Sequence, residues 1–276
     1  MAALRLAALS TLLALVLIAI FILAEGLPLI LHEGPARFIL GRRWAPGDGD
    51  YGIGNLLAGT AWVTAGALLI GVPLGLSIAV FLCEVAPPPL APFLKPAVEL
   101  LAAIPSVVYG FVGLVTLVPL IRTHLGGPGF SVLACSLVLG VMILPTIASV
   151  TYDSLRAVPS AYREGSLALG AARWQTITRV LIPAARPGIL AGIILGTGRA
   201  LGETMAVLMV AGNALRAPTS PLDPVRTLTG NIALEMGYAA GEHRQALFAT
   251  GVVLFLVIFS VNVVARALVR GPSGAR

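Results

Sequence analysis

The chain has 276 residues, 58 % of them hydrophobic and only 11 % charged, against roughly 45–50 % and about 25 % in a soluble globular domain. So few charges cannot cover a soluble fold of this size, and so apolar a chain buries too readily to stay disordered, which leaves an integral membrane protein. The net charge of +6 does not need nucleic acid to explain it, because basic residues collect in cytoplasmic loops and orient the spans.

Uncharged runs supply the elements in chain order. Residues 6–24, 51–83, 100–121, 123–152 and 245–265 carry no Asp, Glu, Lys or Arg, and residues 187–215 are interrupted only by Arg199 and Glu203. Each run holds about the 20 residues that a spanning helix needs. The runs predict six transmembrane helices near 6–30, 56–84, 97–121, 130–151, 187–214 and 246–268. The first run is longer than the ~7–15 apolar residues of a secretory signal and lacks a clean small-x-small site, so it reads as a retained anchor.

Six spans put both termini on one side. With the N-terminus inside, 10 basic residues fall inside and 7 outside, which favours cytoplasmic termini. The chain then divides into an anchor and extracytoplasmic segment (1–55), a transmembrane domain (56–268) with a cytoplasmic loop at 152–187, and a tail (269–276). Two outside segments, near 32–55 and 214–245, are turn-rich. They are either connectors or room for an extracytoplasmic partner. Cys83 and Cys135 lie in apolar stretches without CxxC spacing and read as packing residues. His32, His124 and His243 fall at or beyond helix ends and form no convergent metal or catalytic set. Glu84, Lys95 and Glu99 sit near the inner boundary, where snorkelling or a local Lys95–Glu99 pair accounts for them.

In the 152–187 loop, Pro159 can open a helix, and the apolar positions that follow suggest two short surface helices separated near Gly170. An amphipathic connector anchored by Trp174 would look the same. The spacing is more specific. Glu164-Gly165-Ser166, Gly170 and Val180-Leu181-Ile182-Pro183 resemble the EAA loop of ABC importer permeases, with small residues in place of both alanines. Gly170 permits a tight turn, and Pro183 is expected to end the second helix. The resemblance implies that Glu164, Gly165, Ser166, Gly170 and Pro183 couple the chain to a cytoplasmic ATPase.

Arg199 and Glu203 each have 12 uncharged residues on their outer sides. A lone charge at that depth costs at least ~2.5–3.5 kcal/mol, and an i, i+4 spacing on a continuous helix would let the two neutralise each other. They are then either a structural ion pair or part of a substrate pathway. Arginine suits an oxyanion because its planar guanidinium offers two parallel N–H bonds.

The string Gly198-Arg199-Ala200-Leu201-Gly202-Glu203-Thr204-Met205-Ala206-Val207, with Ile104-Pro105-Ser106-Val107-Val108-Tyr109-Gly110, resembles the phosphate-specific Pst permeases, and more a PstC-like than a PstA-like subunit. That implies an all-α integral membrane protein with the type I ABC importer permease fold. It places Arg199, Glu203 and Thr204 along the substrate pathway. Ser106 and Tyr109 either join them or satisfy neighbouring helices.

The implied partners are a second permease subunit (PstA-like), a dimer of cytoplasmic ATPase subunits (PstB-like), an extracytoplasmic phosphate-binding protein (PstS-like) and membrane lipid. The implied location is the bacterial cytoplasmic (inner) membrane. The chain lacks a Gly-x-x-x-x-Gly-Lys-Ser/Thr loop, so ATP hydrolysis is expected from a separate subunit, with no cofactor on this one. A permease for molybdate or sulfate stays open. A proton-coupled secondary transporter would account for Arg199 and Glu203 but not for the Glu164–Gly170–Pro183 spacing, and a membrane enzyme lacks a histidine in the membrane.

Overall fold

The computed structural model describes residues 1–87 and 89–269. The first span is α1 (Ala2–Glu33). A short α2 (Pro35–Leu40) and a hairpin of β1 (Trp44–Ala45) and β2 (Asp50–Tyr51) lead into α3 (Gly54–Val80), which ends in a π-turn at Phe81–Val85. Next come α4 (Ala91–Ala103), α5 (Ser106–Val112), a π-turn at Gly113–Leu117 and α6 (Val118–His124). The central helix is α7 (Val132–Arg156). It is followed by α8 (Ser160–Ala168), α9 (Arg173–Thr176), a π-turn at Ile177–Leu181 and α10 (Ile182–Gly202). The chain continues through α11 (Met205–Val210), α12 (Leu228–Glu235) and α13 (Gly241–Val269). Six segments are long and apolar enough to cross a membrane: Leu4–Glu33, Gly54–Val85, Ser106–His124, Val132–Arg156, Arg173–Gly202 and Gly241–Val264. The six expected spans are present.

Small residues set the packing. Along α3 the buried positions include Gly59, Val63, Ala67, Gly71, Gly75 and Ala79, a repeat of four that lets backbones approach as membrane helix pairs require. A Cβ on Gly71 would lie 2.9 Å from the Gly140 carbonyl oxygen, and one on Gly75 would lie 2.9 Å from Ile147. These contacts seat α3 on α7, around a core that includes Leu139, Met142, Ile143 and Ile147. Ser131 caps α7 by accepting from Ala134 N at 3.2 Å. The N-terminal helix joins through its second half alone: Gly26 faces the backbone of Phe248 and Ala249, while Phe21 meets Phe248 edge-on at 5.5 Å. Leu4, Leu9 and Leu13 remain exposed.

Three expectations change. Residues 97–121 are not one helix: the chain breaks between α4 and α5, where Pro105 drives Ile104 to φ −66°, ψ 127°. The fifth span begins at Arg173 rather than 187, and Pro183 does not end a helix. The π-turn before it bonds Ile182 N to the Ile177 carbonyl, so Pro183 follows as if at a helix start, where its missing N–H leaves no bond unmade. The 187–214 element is also broken, between Gly202 and Met205. The tail expected at 269–276 lies outside the described residues from 270 onward.

Candidate functional site

Both unexpected breaks meet at Arg199. The residue sits on the last turn of α10, and its guanidinium donates to Thr146 Oγ1 at 3.3 Å and to the Ala102 carbonyl at 3.5 Å. Ala102 lies in the last turn of α4, so that helix points a C-terminal carbonyl at a cation that itself sits on the last turn of α10. The negative ends of the helix dipoles favour a positive charge there. Among the described residues no carboxylate lies within 4.0 Å of Arg199. Beyond the breaks, α5 and α11 pack closely: a Cβ on Gly110 would lie 2.8 Å from Ala206 Cα.

Glu203 does not pair with Arg199. The helix stops at Gly202, and Glu203 takes an extended conformation at φ −70°, ψ 129°, so the one-turn geometry of an i, i+4 pair is lost. Its carboxylate instead accepts from Ala206 N at 3.0 Å, capping α11 with a negative charge where the dipole favours one. Thr229 Oγ1 donates to the Glu203 carbonyl at 2.9 Å and holds the break open. Thr204 Oγ1 turns back to the Gly202 carbonyl at 3.3 Å. The Tyr109 hydroxyl donates to the Leu101 carbonyl at 2.8 Å, bridging the α4–α5 break. Ser106 opens α5 and is half-buried. Gly198 and Gly202 face open space, since a Cβ on either would meet nothing within 4 Å. The arrangement is a half-buried cation next to glycines that face open space, held by neutral oxygens only.

The second group of expected residues lies on α8 and the turn after it. Glu164 and Gly165 are exposed, and Leu169 and Trp174 are 90 % and 64 % exposed. Gly170 adopts φ +85° with no atom near a would-be Cβ, so backbone conformation and not space requires glycine there. Gly165 has neither constraint, so nothing within the chain demands its small size. Ser166 Oγ lies 3.0 Å from Thr176 Oγ1 and ties α8 to α9. Pro183 is exposed two turns further on, within the continuous fifth span.

Two polar clusters escaped the sequence. At the α8 end, Glu84 is only 7 % exposed. Arg163 grips both its carboxylate oxygens, with Nε to Oε2 at 3.2 Å and Nη2 on Oε1, and Arg173 donates to its main-chain carbonyl. The bond to Glu84 raises the pKa of Arg163 above the ordinary arginine value. Glu84 was the one charge between residues 51 and 94, which was the available signal. Its partner lies 79 residues away. Nearby, Lys95 reaches Asp153 at 3.0 Å as well as Glu99 at 3.7 Å, so it pins α4 to α7.

At the hairpin end, buried Glu235 accepts from Arg226 at 2.6 Å and from Trp44 Nε1 at 2.9 Å, and lies 2.8 Å from His243 Nε2. Arg226 also donates to Asn231 Oδ1 and the Asn213 carbonyl, both at 3.0 Å.

Residues 71–273 match the family described as binding-protein-dependent transport system inner membrane component. The chain is 45 % identical over 251 residues to the probable ABC transporter permease protein YqgH of Bacillus subtilis, covering 88 % of this chain and 81 % of that one. It is 39 % identical over 250 residues to the phosphate transport system permease protein PstC of Mesorhizobium japonicum, covering 83 % and 76 %. Among solved structures, it resembles a chain of a bacterial alginate ABC transporter in complex with an alginate-bound periplasmic protein. The TM-score is 0.61 at 18 % identity, over 80 % of this chain and 79 % of that one.

Proposed function

The chain belongs to the family of binding-protein-dependent transport system inner membrane components, and on that premise we propose that it is a permease subunit of an ATP-driven importer of inorganic phosphate. It is a multi-pass inner-membrane protein and a permease of the ABC transporter type. The observation that carries the choice of substrate is Arg199: a half-buried guanidinium held only by two long bonds to neutral oxygens matches a tetrahedral oxyanion in charge and fork geometry. The similarity to PstC of Mesorhizobium japonicum supports phosphate over other oxyanions.

The chain itself is non-catalytic. It forms the pathway with a second permease subunit and receives phosphate from an extracytoplasmic binding protein. A dimer of ATPase subunits docks on the cytoplasmic side against Glu164, Gly165, Leu167 and Leu169. Alternating access then moves Arg199 between outward and inward exposure. Thr204 and Ser106 lie at the same two breaks and complete the wall around it. Both termini are cytoplasmic.

The test is to purify the complex from detergent, reconstitute it with its binding protein and follow ATP-driven uptake of radiolabelled phosphate. Saturable uptake suppressed by excess phosphate but not by sulfate or molybdate supports the proposal, and preferential uptake of either competitor overturns the substrate. Orientation is tested separately, with single cysteines at Ser220 and Leu169 in a background lacking Cys83 and Cys135. An impermeant thiol reagent should label the first in intact cells and not the second.

A further inference from the structure

The α8 helix has no buried residue of its own, so packing alone does not bind it to the membrane domain. Its strongest tie to a span is the forked bond from Arg163 to Glu84, at the foot of the second span. A fork onto both carboxylate oxygens fixes orientation as well as distance. Arg173, which opens the fifth span, grips the Glu84 carbonyl. One residue is therefore held by the α8 helix and by the base of the helix that carries Arg199. The three elements converge over a small core of Ala79, Leu82, Tyr152, Leu155, Ile177 and Leu181. A cavity of about 680 Å³ beside that core, lined by Glu84, Arg156, Arg163 and Arg173, leaves no dense packing to do the same work.

We propose that Glu84 is the positioning residue that joins the coupling segment to the second and fifth spans. A displacement of α8 by the ATPase then swings α3 and α10 together, instead of bending the loop. The proposal rests on the ATPase-coupling role given above. The pair is buried at its Glu84 end, so removing Arg163 leaves an unpaired buried charge, and removing the Glu84 carboxylate releases a half-exposed Arg163 from the second span. Loss of the joint disconnects α8 from the second span, leaving the Ser166–Thr176 contact to α9, without touching the surface that faces the ATPase.

Spin labels at Leu74 and Ala161, both exposed, in the reconstituted complex report the separation of α3 and α8 with and without ATP and vanadate. That separation should stay constant in the parent and change with nucleotide in Glu84→Gln. In the same variant phosphate taken up per ATP hydrolysed should fall roughly tenfold, while ATPase subunits still co-purify and hydrolysis continues. Glu84→Asp, which keeps the charge, should recover part of the loss. Glu84→Arg combined with Arg163→Glu should exceed either single variant. Constant separation and normal coupling in an assembled Glu84→Gln complex would overturn the proposal. If the single variants do not assemble, a charge-swapped pair no better than either of them overturns it as well. The label readout is independent of the transported ion: a rigid α3–α8 unit in a complex that moves no phosphate would sink the substrate and leave the joint standing.

Discussion

Arg199 and Arg226 are both drawn away from bulk water, and the chain satisfies them in opposite ways. Arg226 sits in a network centred on a carboxylate, with Glu235 at 2.6 Å, Asn231 and the Asn213 carbonyl at 3.0 Å, and Trp44 and His243 completing the carboxylate. That network links the β1–β2 hairpin, α12 and the start of α13 around one carboxylate, and it leaves the buried Asn231 Nδ2 without a partner among the described residues. Arg199 has two bonds, at 3.3 and 3.5 Å, and both acceptors are neutral. Its charge is met by the Ala102 carbonyl at the end of α4 and by the Thr146 hydroxyl, not by a carboxylate. An arginine with a carboxylate serves the architecture, whereas one held by dipoles stays free to exchange them for an anion.

The largest expected effect follows from that contrast. Arg199→Gln keeps length and some hydrogen bonding but removes charge-assisted bonds to the anion, worth about 3 kcal/mol together. Phosphate uptake should fall by roughly a hundredfold, while the complex assembles and melts like the parent. Arg199→Lys should recover only part, since a point charge lacks the fork. A large drop in assembly with Arg199→Gln would place Arg199 with Arg226, as architecture.

Glu235→Gln should behave in the reverse manner. It leaves Arg226 buried without its carboxylate, a loss of about 3 kcal/mol in stability, read as a lowered Tm in detergent. Uptake per correctly folded complex should stay close to normal. A specific transport defect without a Tm change would break the distinction between the two arginines.

The sequence made the spans visible because the bilayer permits few charges within them, and counting uncharged residues finds such stretches directly. It did not reveal where those spans break. Pro105 marks one break, yet Pro28, Pro73 and Pro145 lie inside unbroken helices, because neighbouring helices can accommodate the lost bond. The Gly202–Met205 break depends on Thr229, 26 residues away, capturing the Glu203 carbonyl. The i, i+4 pairing of Arg199 with Glu203 assumed a continuous helix and fell with it. The Gly170 turn was legible for the opposite reason: a left-handed residue is a local requirement, and glycine meets it locally.

Glu203 refines the comparison at smaller amplitude. As a cap on α11, Glu203→Gln keeps an acceptor for Ala206 N and loses only the charge, an effect of about 1 kcal/mol or less. Uptake should fall a few-fold. Because no ion pair joins it to Arg199, adding Glu203→Gln to Arg199→Gln should not restore activity. Recovery in the double variant would mean that the two charges do meet during the cycle and neutralise each other.

A third arginine sets the lower limit. Arg216 approaches Asp223 only to 3.9 Å with its side chain 68 % exposed, and such surface pairs contribute little. The bonds that matter to Asp223 come from Thr219 N, Thr219 Oγ1 and Ser220 N, at 2.8, 2.9 and 3.0 Å. These bonds to Thr219 and Ser220, with Arg216 a minor addition, hold its carboxyl below the usual carboxylate range. A depressed folded-state pKa means that the stabilisation is complete above the ordinary value of about 4 and disappears as the pH falls through the folded value. Hydrogen exchange can resolve this locally. Asp223→Ala should speed exchange at the Thr219 and Ser220 amides by less than about tenfold, the loss of one modest hydrogen bond each. Acidification below pH ~4 should do the same in the parent. The Val132 and Leu133 amides should stay protected, because they bond to the Asp223 and Pro221 carbonyls at 3.0 and 2.8 Å and tie the loop to α7 independently of the carboxylate. Arg216→Gln should leave all four amides unchanged. Faster exchange there would show that an exposed cation at 3.9 Å matters to this loop, and distance would no longer separate the three arginines.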